Sequence, residues 1–135
     1  MDTLSRERRS ALMGRVRQKG TTPELIVRRL AHRLGYRFRL HRRDLPGTPD
    51  VVFPRLRKVI LVHGCFWHGH RGCRLATIPK TRTDFWLQKI ETNRERDARV
   101  KLQLKRDSWN VYAIWECETR NIPLLERRLR RLLTH

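Results

Sequence analysis

The sequence predicts an α/β fold in which a mixed β-sheet is flanked by helices. Helical and strand-like patterns alternate along the chain, in the order helix, three strands, helix, strand, helix. The run from Lys58 to Val62 is almost continuously aliphatic, as expected of a central strand that is buried on both faces. A helix and then a further strand follow it, so the strands on either side of this crossover are expected to run parallel.

Two helical segments are predicted before the first strand. Residues 1–20 are polar and basic, and we interpret them as a helical arm that ends at Gly20, with a disordered basic tail as the alternative. At Thr22-Pro23-Glu24, a hydroxyl cap, a proline and an acid indicate the start of the next helix. Gly35 stands where its C-terminal cap belongs. Its apolar face follows helical spacing and consists of Ile26, Val27, Leu30, Ala31 and Leu34.

Three strands and a loop come next. Residues 36–40 alternate between apolar and basic side chains, which predicts a half-exposed strand. After a Pro/Gly-rich turn at 45–49, the segment Asp50 to Phe53 predicts a short strand, which Pro54 ends. The central strand follows. Residues 63–80 are rich in Gly, His, Cys and Arg and have no periodicity, which indicates a loop that needs a stabilising cross-link of its own.

The remainder of the chain predicts the crossover and the last helix. Thr83 is expected to cap a long helix that runs to about Asp107. Residues 110–115 predict a strand, and residues 123–133 predict a basic amphipathic helix. We therefore divide the chain into a basic N-terminal arm at 1–20, expected to rest on the domain or on a partner, and one domain at 21–135.

The charge balance favours an anionic partner. The 135 residues include 32 Lys and Arg against 13 Asp and Glu, a formal net charge of +19. Nucleic acid is the natural partner, because neutralising its phosphates releases bound counterions. An inert basic surface and a membrane surface are the alternatives. No apolar run approaches the length of a spanning helix and no signal-peptide core is present, so we expect a soluble, cytoplasmic protein.

Cysteine and histidine residues indicate a metal site rather than disulfides. Three cysteines leave one unpaired within a single chain, and short Cys/His spacing in a reducing compartment favours a metal. The candidate ligands form a Cys3His set, a recognised structural zinc set. They are Cys65, His70, Cys73 and Cys117. The alternative is that each cysteine is a small buried apolar residue.

Asp50 is the candidate catalytic carboxylate. A Pro-Asp pair at the start of one strand, beside a second short strand, is the skeleton of the PD-(D/E)XK nucleases, in which the aspartate holds Mg²⁺. The second strand should end in an acid, any residue and a lysine, but here it ends in Leu61-Val62-His63. The second carboxylate and the lysine of the generic pattern are absent.

Five sequence blocks occur in order and are specific in combination. They are LPGTPD (residues 45–50), HGCFWHGH (63–70), TRTDFW (81–86), NRERD (93–97) and WEC (115–117). Over nearly the whole chain this pattern closely resembles the very-short-patch repair DNA mismatch endonucleases. The resemblance implies a PD-(D/E)XK-like core with a structural zinc site, and an endonuclease domain at 21–135. It implies nicking of double-stranded DNA on the 5′ side of the thymine in a T:G mismatch that arises from 5-methylcytosine deamination.

The resemblance also assigns roles to individual residues. Asp50 and the backbone carbonyl of Val62 would hold Mg²⁺, with phosphate oxygens and waters completing its shell. His68 matches the general base that activates water, assisted by Glu24, and His63 matches a histidine that contacts the scissile phosphate. An imidazole suits the base because its ordinary pKa is about 6.5. Without the resemblance, His63 and His68 could simply line the zinc loop. The zinc set proposed above coincides with that of the family.

A further set of residues is expected to contact DNA. Phe66, Trp67 and Trp86 match the intercalating aromatics of the family. The alternative is that they are core residues, which fits Phe66 and Trp67 poorly because they lie in a polar Gly/His loop and which stays open for Trp86. Met13, Arg15 and Asn93 are the expected DNA-binding residues, the first two on an arm that enters the minor groove. The implied partners are mismatched duplex DNA, mismatch-repair proteins and a cytosine-5 methyltransferase, and we expect a nucleoid-associated monomer.

Two other functions are compatible with the residues. One is a zinc-stabilised DNA-binding module without catalysis, which the high charge and the atypical nuclease pattern would favour. The other is a related nuclease with different DNA specificity, because base preference depends on side-chain placement.

Overall fold

The computed structural model describes residues 21–134, so the predicted arm at 1–20, with Met13 and Arg15, lies outside the described residues. Three helices and four strands make up the described fold. The helices are α1 (Thr22–Arg33), α2 (Thr83–Arg106) and α3 (Ile122–Thr134). The strands are β1 (Arg39–Leu40), β2 (Val51–Phe53), β3 (Lys58–His63) and β4 (Asn110–Trp115). Short 3-10 turns occupy Pro54–Leu56, Arg74–Ala76 and Glu116–Arg120.

The four strands form one mixed sheet in the order β1-β2-β3-β4. The β1–β2 and β2–β3 pairs are antiparallel, whereas β3 and β4 run parallel, with His63 paired to Trp115 at their ends. Helix α2 connects β3 to β4, so the predicted crossover is confirmed. Strand β3 is buried at all but one of its positions, as its aliphatic run predicted.

The sheet lies between two helical layers. On one face, α1 and α3 pack against alternate strand residues such as Val51 and Ile60. On the other face, Val52 and Val59 pack against Leu104 of α2. Because side chains alternate across a strand, neighbouring residues of β2 and β3 enter different cores. The predicted α/β class with a mixed sheet and flanking helices is confirmed.

Three local predictions need correction. The helix cap is Thr21 rather than Thr22, since the Thr21 hydroxyl oxygen accepts from the Glu24 N–H at 3.4 Å. Thr83 does not cap α2; it lies inside the helix and its hydroxyl donates to the carbonyls of Pro79 and Lys80, so the left-handed Arg82 precedes the helix without a side-chain cap.

The strand predicted at 36–40 is shorter than expected. In the observed register Arg39 pairs with Val52, so the residues before Arg39 face the end of β2. There Pro54 begins a 3-10 turn and no further strand partner is offered. The rings of Tyr36 and Phe38 nevertheless pack edge-on against Phe53, so the apolar alternation reports burial rather than pairing.

The C-terminal cap of α1 is as predicted: Gly35 follows Leu34 with a φ of 91°, a left-handed conformation that glycine adopts without strain. Within residues 21–134, no helix combines the length and the apolar character needed to cross a bilayer.

Candidate active site and its metal clusters

The candidate functional residues meet at one edge of the sheet. β3 and β4 are parallel and end together at His63 and Trp115. β2 is antiparallel to β3, so Asp50, immediately before β2, lies near the C-terminal end of β3. The long loop after β3 and the turn after β4 leave from this same edge. The topology thus gathers residues that are far apart in the sequence.

The carboxylate cluster consists of Glu24, His41 and Asp50, whose ligand atoms all lie within 4.8 Å of one another. Glu24 comes from α1, His41 from the loop after β1, and Asp50 from the start of β2. His41 Nε2 lies 2.7 Å from Glu24 Oε1. Asp50 Oδ2 accepts a 2.7 Å hydrogen bond from the N–H of Val62, so the sequence-predicted pair is brought together. Carboxylate and carbonyl oxygens are the donors that Mg²⁺ prefers.

Asp50 is electrostatically unusual. Burial, as the largest cause, and the nearby carboxylate of Glu24 together raise the pKa of Asp50 to about 6, against the hydrogen bond from Val62. Two acids at close range in a buried site favour the uptake of a proton or of a cation. The cluster is therefore poised for positive charge, which is what a catalytic metal site requires.

The imidazole pair consists of His63 and His68, whose rings stack in parallel with centroids 4.0 Å apart. His63, at the end of β3, is buried, and burial lowers the pKa of His63 to about 3, with His68 adding to the effect. His63 is thus neutral at physiological pH. Its Nδ1 has no hydrogen-bond partner within residues 21–134.

His68 has a carboxylate partner. Its Nδ1 lies 2.6 Å from Oδ2 of Asp97 on α2. If Asp97 accepts the proton of Nδ1, the other ring nitrogen, Nε2, is left free to accept a proton. An oriented histidine and acid of this kind can act as a general base. Asp97 belongs to the NRERD block, but α2 is densely charged, so the sequence alone does not indicate which of its acids faces the site.

The thiol cluster consists of Cys65, His70, Cys73 and Cys117, the Cys3His set expected from the sequence. Their ligand atoms lie within 4.8 Å of one another and the cysteines form no disulfide. Cys117 Sγ lies 3.6 Å from His70 Nδ1, and the Cys117 N–H donates to Cys65 Sγ. Gly69 keeps the loop close to α2, because a Cβ there would lie 2.5 Å from Ile90.

The thiols of this cluster influence one another. Burial raises the pKa of Cys65 to about 12 and also raises that of Cys117. Burial opposes ionisation of Cys73 too, but hydrogen bonds, led by that from the Leu75 N–H, outweigh it and lower the pKa of Cys73. Three thiols and one imidazole at this range can close a tetrahedral zinc shell.

A chain of rings joins the thiol cluster to the imidazole pair. The indole of Trp115 stacks on His70 with centroids 4.0 Å apart, and meets His63 edge-on at 5.1 Å. His63 in turn stacks on His68. Trp115 was part of the WEC block, but the sequence assigned it no role. Its position follows from the parallel pairing of β4 with β3.

The aromatic patch consists of Phe66, Trp67, Phe85 and Trp86. Ring centroids of Phe66, Trp67 and Trp86 lie 5.2–5.9 Å from one another, and Phe85 contacts Trp86. All are at least partly accessible, and Phe85 is 43% exposed. None belongs to either buried core cluster. Phe85 was missed by the sequence analysis, although it lies beside Trp86 in the TRTDFW block.

Asn93 supports the same loop. Its side-chain nitrogen donates to the carbonyl of Trp67 at 2.8 Å, and Arg94 one residue on bonds the carbonyl of Gly69. The sequence predicts that Asn93 binds DNA, and that role stays a prediction; in the structure its side chain holds the backbone that carries the aromatic rings.

Comparison with known proteins places this geometry in a family. The profile of the family described as DNA mismatch endonuclease Vsr matches residues 1–74. The chain belongs to this family. A type II nicking enzyme of Xanthomonas oryzae pv. oryzae is 57% identical over 132 residues, covering 98% of this chain and 96% of the relative. The DNA mismatch endonuclease Vsr of Escherichia coli is 45% identical over 108 residues, covering 78% and 69%.

A type II nicking enzyme of Neisseria meningitidis serogroup A is 39% identical over 132 residues, covering 98% of this chain and 94% of the relative. The resemblance inferred from the five blocks is thereby confirmed. The chain is a DNA endonuclease of the Vsr family, and the non-catalytic DNA-binding module loses its support.

Proposed function

We propose that this endonuclease nicks double-stranded DNA on the 5′ side of the thymine in a T:G mismatch and so initiates very short patch repair. The observation that carries the proposal is the meeting, at one sheet edge, of a buried carboxylate cluster, an imidazole paired with Asp97, and an accessible aromatic patch. A buried acid pair suits a cation, the paired imidazole suits a base, and the aromatic patch suits a distorted duplex. The E. coli relative is named a DNA mismatch endonuclease, which supports the proposed action on mismatched DNA.

Magnesium fits the carboxylate cluster. Asp50 and the carbonyl of Val62 would hold Mg²⁺, and Glu24, whose ligand atom lies within 4.8 Å of that of Asp50, would assist the activation of water. The fit rests on the oxygen donors and on the raised pKa of Asp50, which burial and the neighbouring Glu24 produce although the Val62 N–H and His41 act against them. When bound, the cation supplies charge neutralisation at the scissile phosphate.

The chain's own groups supply the proton chemistry. Asp97 holds the Nδ1 proton of His68, which leaves Nε2 to take a proton from water as the water oxygen bonds to phosphorus. The bond from phosphorus to the leaving oxygen breaks, and that oxygen takes up a proton from solvent. His63 is neutral at working pH because burial lowers its pKa, so we propose that it offers the phosphate a hydrogen bond rather than a charge.

Zinc fits the thiol cluster. Cys65, His70, Cys73 and Cys117 form a closed soft-donor set, which is typical of structural rather than catalytic zinc. Filling it would fix both ends of the Phe66–Gly69 segment, which carries the imidazole His68 and two aromatic side chains. Zinc would therefore serve the reaction through the rigidity of this loop.

Recognition of the mismatch is assigned to the aromatic patch. Opening a base step costs a few kcal/mol and costs least at a mismatch, and aromatic surface replaces part of the lost stacking. We propose that Phe66, Trp67 and Trp86 enter the opened step. Met13 and Arg15, on the basic arm at 1–20, would contact the duplex from the minor groove. The net charge of +19 supports tight, salt-sensitive binding.

The wider setting of the proposal follows from the family resemblance. We propose a monomer that acts in the cytoplasm on nucleoid DNA, alongside a cytosine-5 methyltransferase and mismatch-repair proteins.

The proposal is tested with end-labelled duplexes that differ only in one T:G or T:A pair, placed in a methylation-site context with Mg²⁺. We expect a strand-specific nick in the T:G duplex and at least 100-fold less cutting of T:A. Asp50→Asn keeps an acceptor for the Val62 N–H and should abolish nicking, whereas Asp44→Asn, an exposed acid in the same loop, should not. Equal cutting of T:A would favour the related nuclease of other specificity, and full activity of Asp50→Asn would refute the proposed cation site.

A further inference from the structure

Glu24 is the most deeply buried acid of the carboxylate cluster. Its side chain is only 2% exposed, on the face of α1 that turns towards the sheet edge. Both of its oxygens are bonded: Oε1 lies 2.7 Å from Nε2 of His41, and Oε2 lies 3.3 Å from Arg28. A carboxylate held at both oxygens has one orientation, and here that orientation faces Asp50.

His41 is held on two sides. Its side chain bonds Glu24, and its backbone N–H donates to the carbonyl of Asp50 at 3.2 Å. The single residue therefore ties the side chain of one acid to the main chain of the other. The backbone of His41 is thus fixed to that of Asp50, and the position of its ring bears on how Glu24 is oriented beside Asp50.

The backbone of His41 is in an unusual conformation. Its φ is +47°, in the left-handed region that side-chain-bearing residues seldom adopt. Such conformations persist only where the surroundings hold them, and they are frequent at functional sites. Here the conformation comes directly after β1 and turns the imidazole to where only 18% of its side chain is exposed.

We propose that His41 is a positioning residue of the nuclease site, which orients Glu24 against Asp50 and thereby sets the affinity of the site for a divalent cation. The inference rests on the proposed assignment of that cation to Asp50. Partners that orient a ligand or its neighbour commonly change metal affinity or activity by 10- to 100-fold when they are removed. Arg28 is the weaker anchor, since its contact is longer and its side chain is more exposed.

The test compares His41→Leu, which removes the hydrogen bond, with His41→Gln, whose amide nitrogen can replace Nε2. Single-turnover nicking of the T:G duplex is measured against Mg²⁺ concentration. For His41→Leu we expect a roughly 10- to 100-fold lower rate and a higher Mg²⁺ concentration at half-saturation, with DNA affinity within about twofold of the parent. His41→Gln should recover most of the loss. His32→Leu, an exposed histidine of α1, is the control.

A second readout is independent of catalysis. Binding of Mn²⁺ to the DNA-free protein, followed by the loss of the free-ion paramagnetic resonance signal, should weaken at least tenfold in His41→Leu and stay close to the parent in His41→Gln. A histidine that only fills space would leave Mn²⁺ affinity unchanged, and that result would overturn the proposal.

The pairing with Glu24 provides a further check that does not depend on stability. In a Glu24→Gln background, His41→Leu should lower the rate less than threefold further, because residues that act as a unit are not additive. Full additivity would contradict action through Glu24. If the parent enzyme fails to nick T:G, the proposed function is wrong; if the parent nicks and His41→Leu is indistinguishable from it, only the role of His41 is wrong.

Discussion

The thiol cluster and the carboxylate cluster lie at the same sheet edge but are built in opposite ways. The thiol cluster takes three of its four members from one loop, and its soft donors can close completely around an ion. The carboxylate cluster takes one residue each from α1, the loop after β1 and the start of β2. Its hard donors leave room for phosphate and water. The first is suited to holding a loop, the second to holding a substrate.

The thiol cluster is connected to the imidazole pair through the rings of His70, Trp115, His63 and His68. Because these rings are in contact, we expect a change at the thiol cluster to disturb His68, the proposed base. We expect a change at Asp50 to leave the thiol cluster intact. The comparison therefore predicts an asymmetry. Loss of the thiol cluster should damage both stability and catalysis, and loss of the carboxylate cluster should damage catalysis alone.

The largest effect is expected for Cys117→Ala. Structural zinc contributes on the order of 10 kcal/mol of apparent binding free energy, so removal of one ligand should cost the protein its zinc and much of its thermal stability. Metal analysis should fall from one zinc per chain to none, and nicking should be lost as well. Thr77→Ala, an exposed change in the same loop, should have neither effect. A stable, zinc-free and fully active Cys117→Ala variant would contradict the claim that the thiol cluster supports both stability and catalysis.

His68→Ala should separate chemistry from stability. Removal of a general base typically lowers the rate by about 10²- to 10⁴-fold. Asp97→Asn should lower it less, because it disturbs only the orientation and proton placement of His68. Both variants should retain one zinc and the parent's melting temperature within a few degrees. Rates near that of the parent would remove His68 from the mechanism.

The carboxylate cluster should be a source of instability without its cation. The pKa of Asp50 is raised from 3.8 to about 6, chiefly by burial, so the stabilisation from its bound proton is present below pH 4 and is lost as pH rises through about 6. This corresponds to about 3 kcal/mol at most. Asp50→Asn, which does not titrate, should therefore be more stable than the parent above pH 7 in Mg²⁺-free buffer.

Urea unfolding at pH 4 and pH 8 measures this effect. The advantage of Asp50→Asn should be small at pH 4 and largest at pH 8, and Asp44→Asn should show no such trend. If the stability advantage of Asp50→Asn is independent of pH, the pKa of Asp50 is not raised in the folded protein.

The smallest effect is expected for Trp115, whose ring joins the thiol cluster to the imidazole pair. Trp115→Leu removes the ring between His70 and His63, and we expect nicking to fall about tenfold, equivalent to roughly 1.4 kcal/mol, with zinc retained. Trp115→Phe keeps an aromatic ring and should lose less. Quantitative single-turnover assays, paired with zinc analysis, measure both. Equal activity of Trp115→Leu and the parent would show that the imidazole pair works independently of the thiol cluster.

The sequence predicted the parts of the fold that depend on pattern. The aliphatic run of β3, the crossover helix and the Cys3His set were all visible, because periodicity and ligand chemistry are local properties. Errors occurred at boundaries: adjacent threonines made the cap of α1 ambiguous, and β1 is short because its partner strand ends at a proline.

The site residues that the sequence did not predict depend on tertiary geometry. His41 lies among arginines, and its left-handed backbone leaves no mark in the sequence. Asp97 is one acid on a helix that is charged along much of its length, and only the packing of α2 selects it. Trp115 reaches His70 because β4 is parallel to β3. These three positions, together with Phe85 of the aromatic patch, are the ones that the structure adds to the family resemblance.

The central claim is tested most directly by mapping the cut at nucleotide resolution in a duplex with a single T:G pair, end-labelled on either strand, with Mg²⁺ and the zinc-containing enzyme. We expect one nick, in the thymine-containing strand, immediately 5′ of the mismatched thymine, and none in the matched T:A duplex. Cuts in both strands, or equal cutting of matched DNA, would contradict it.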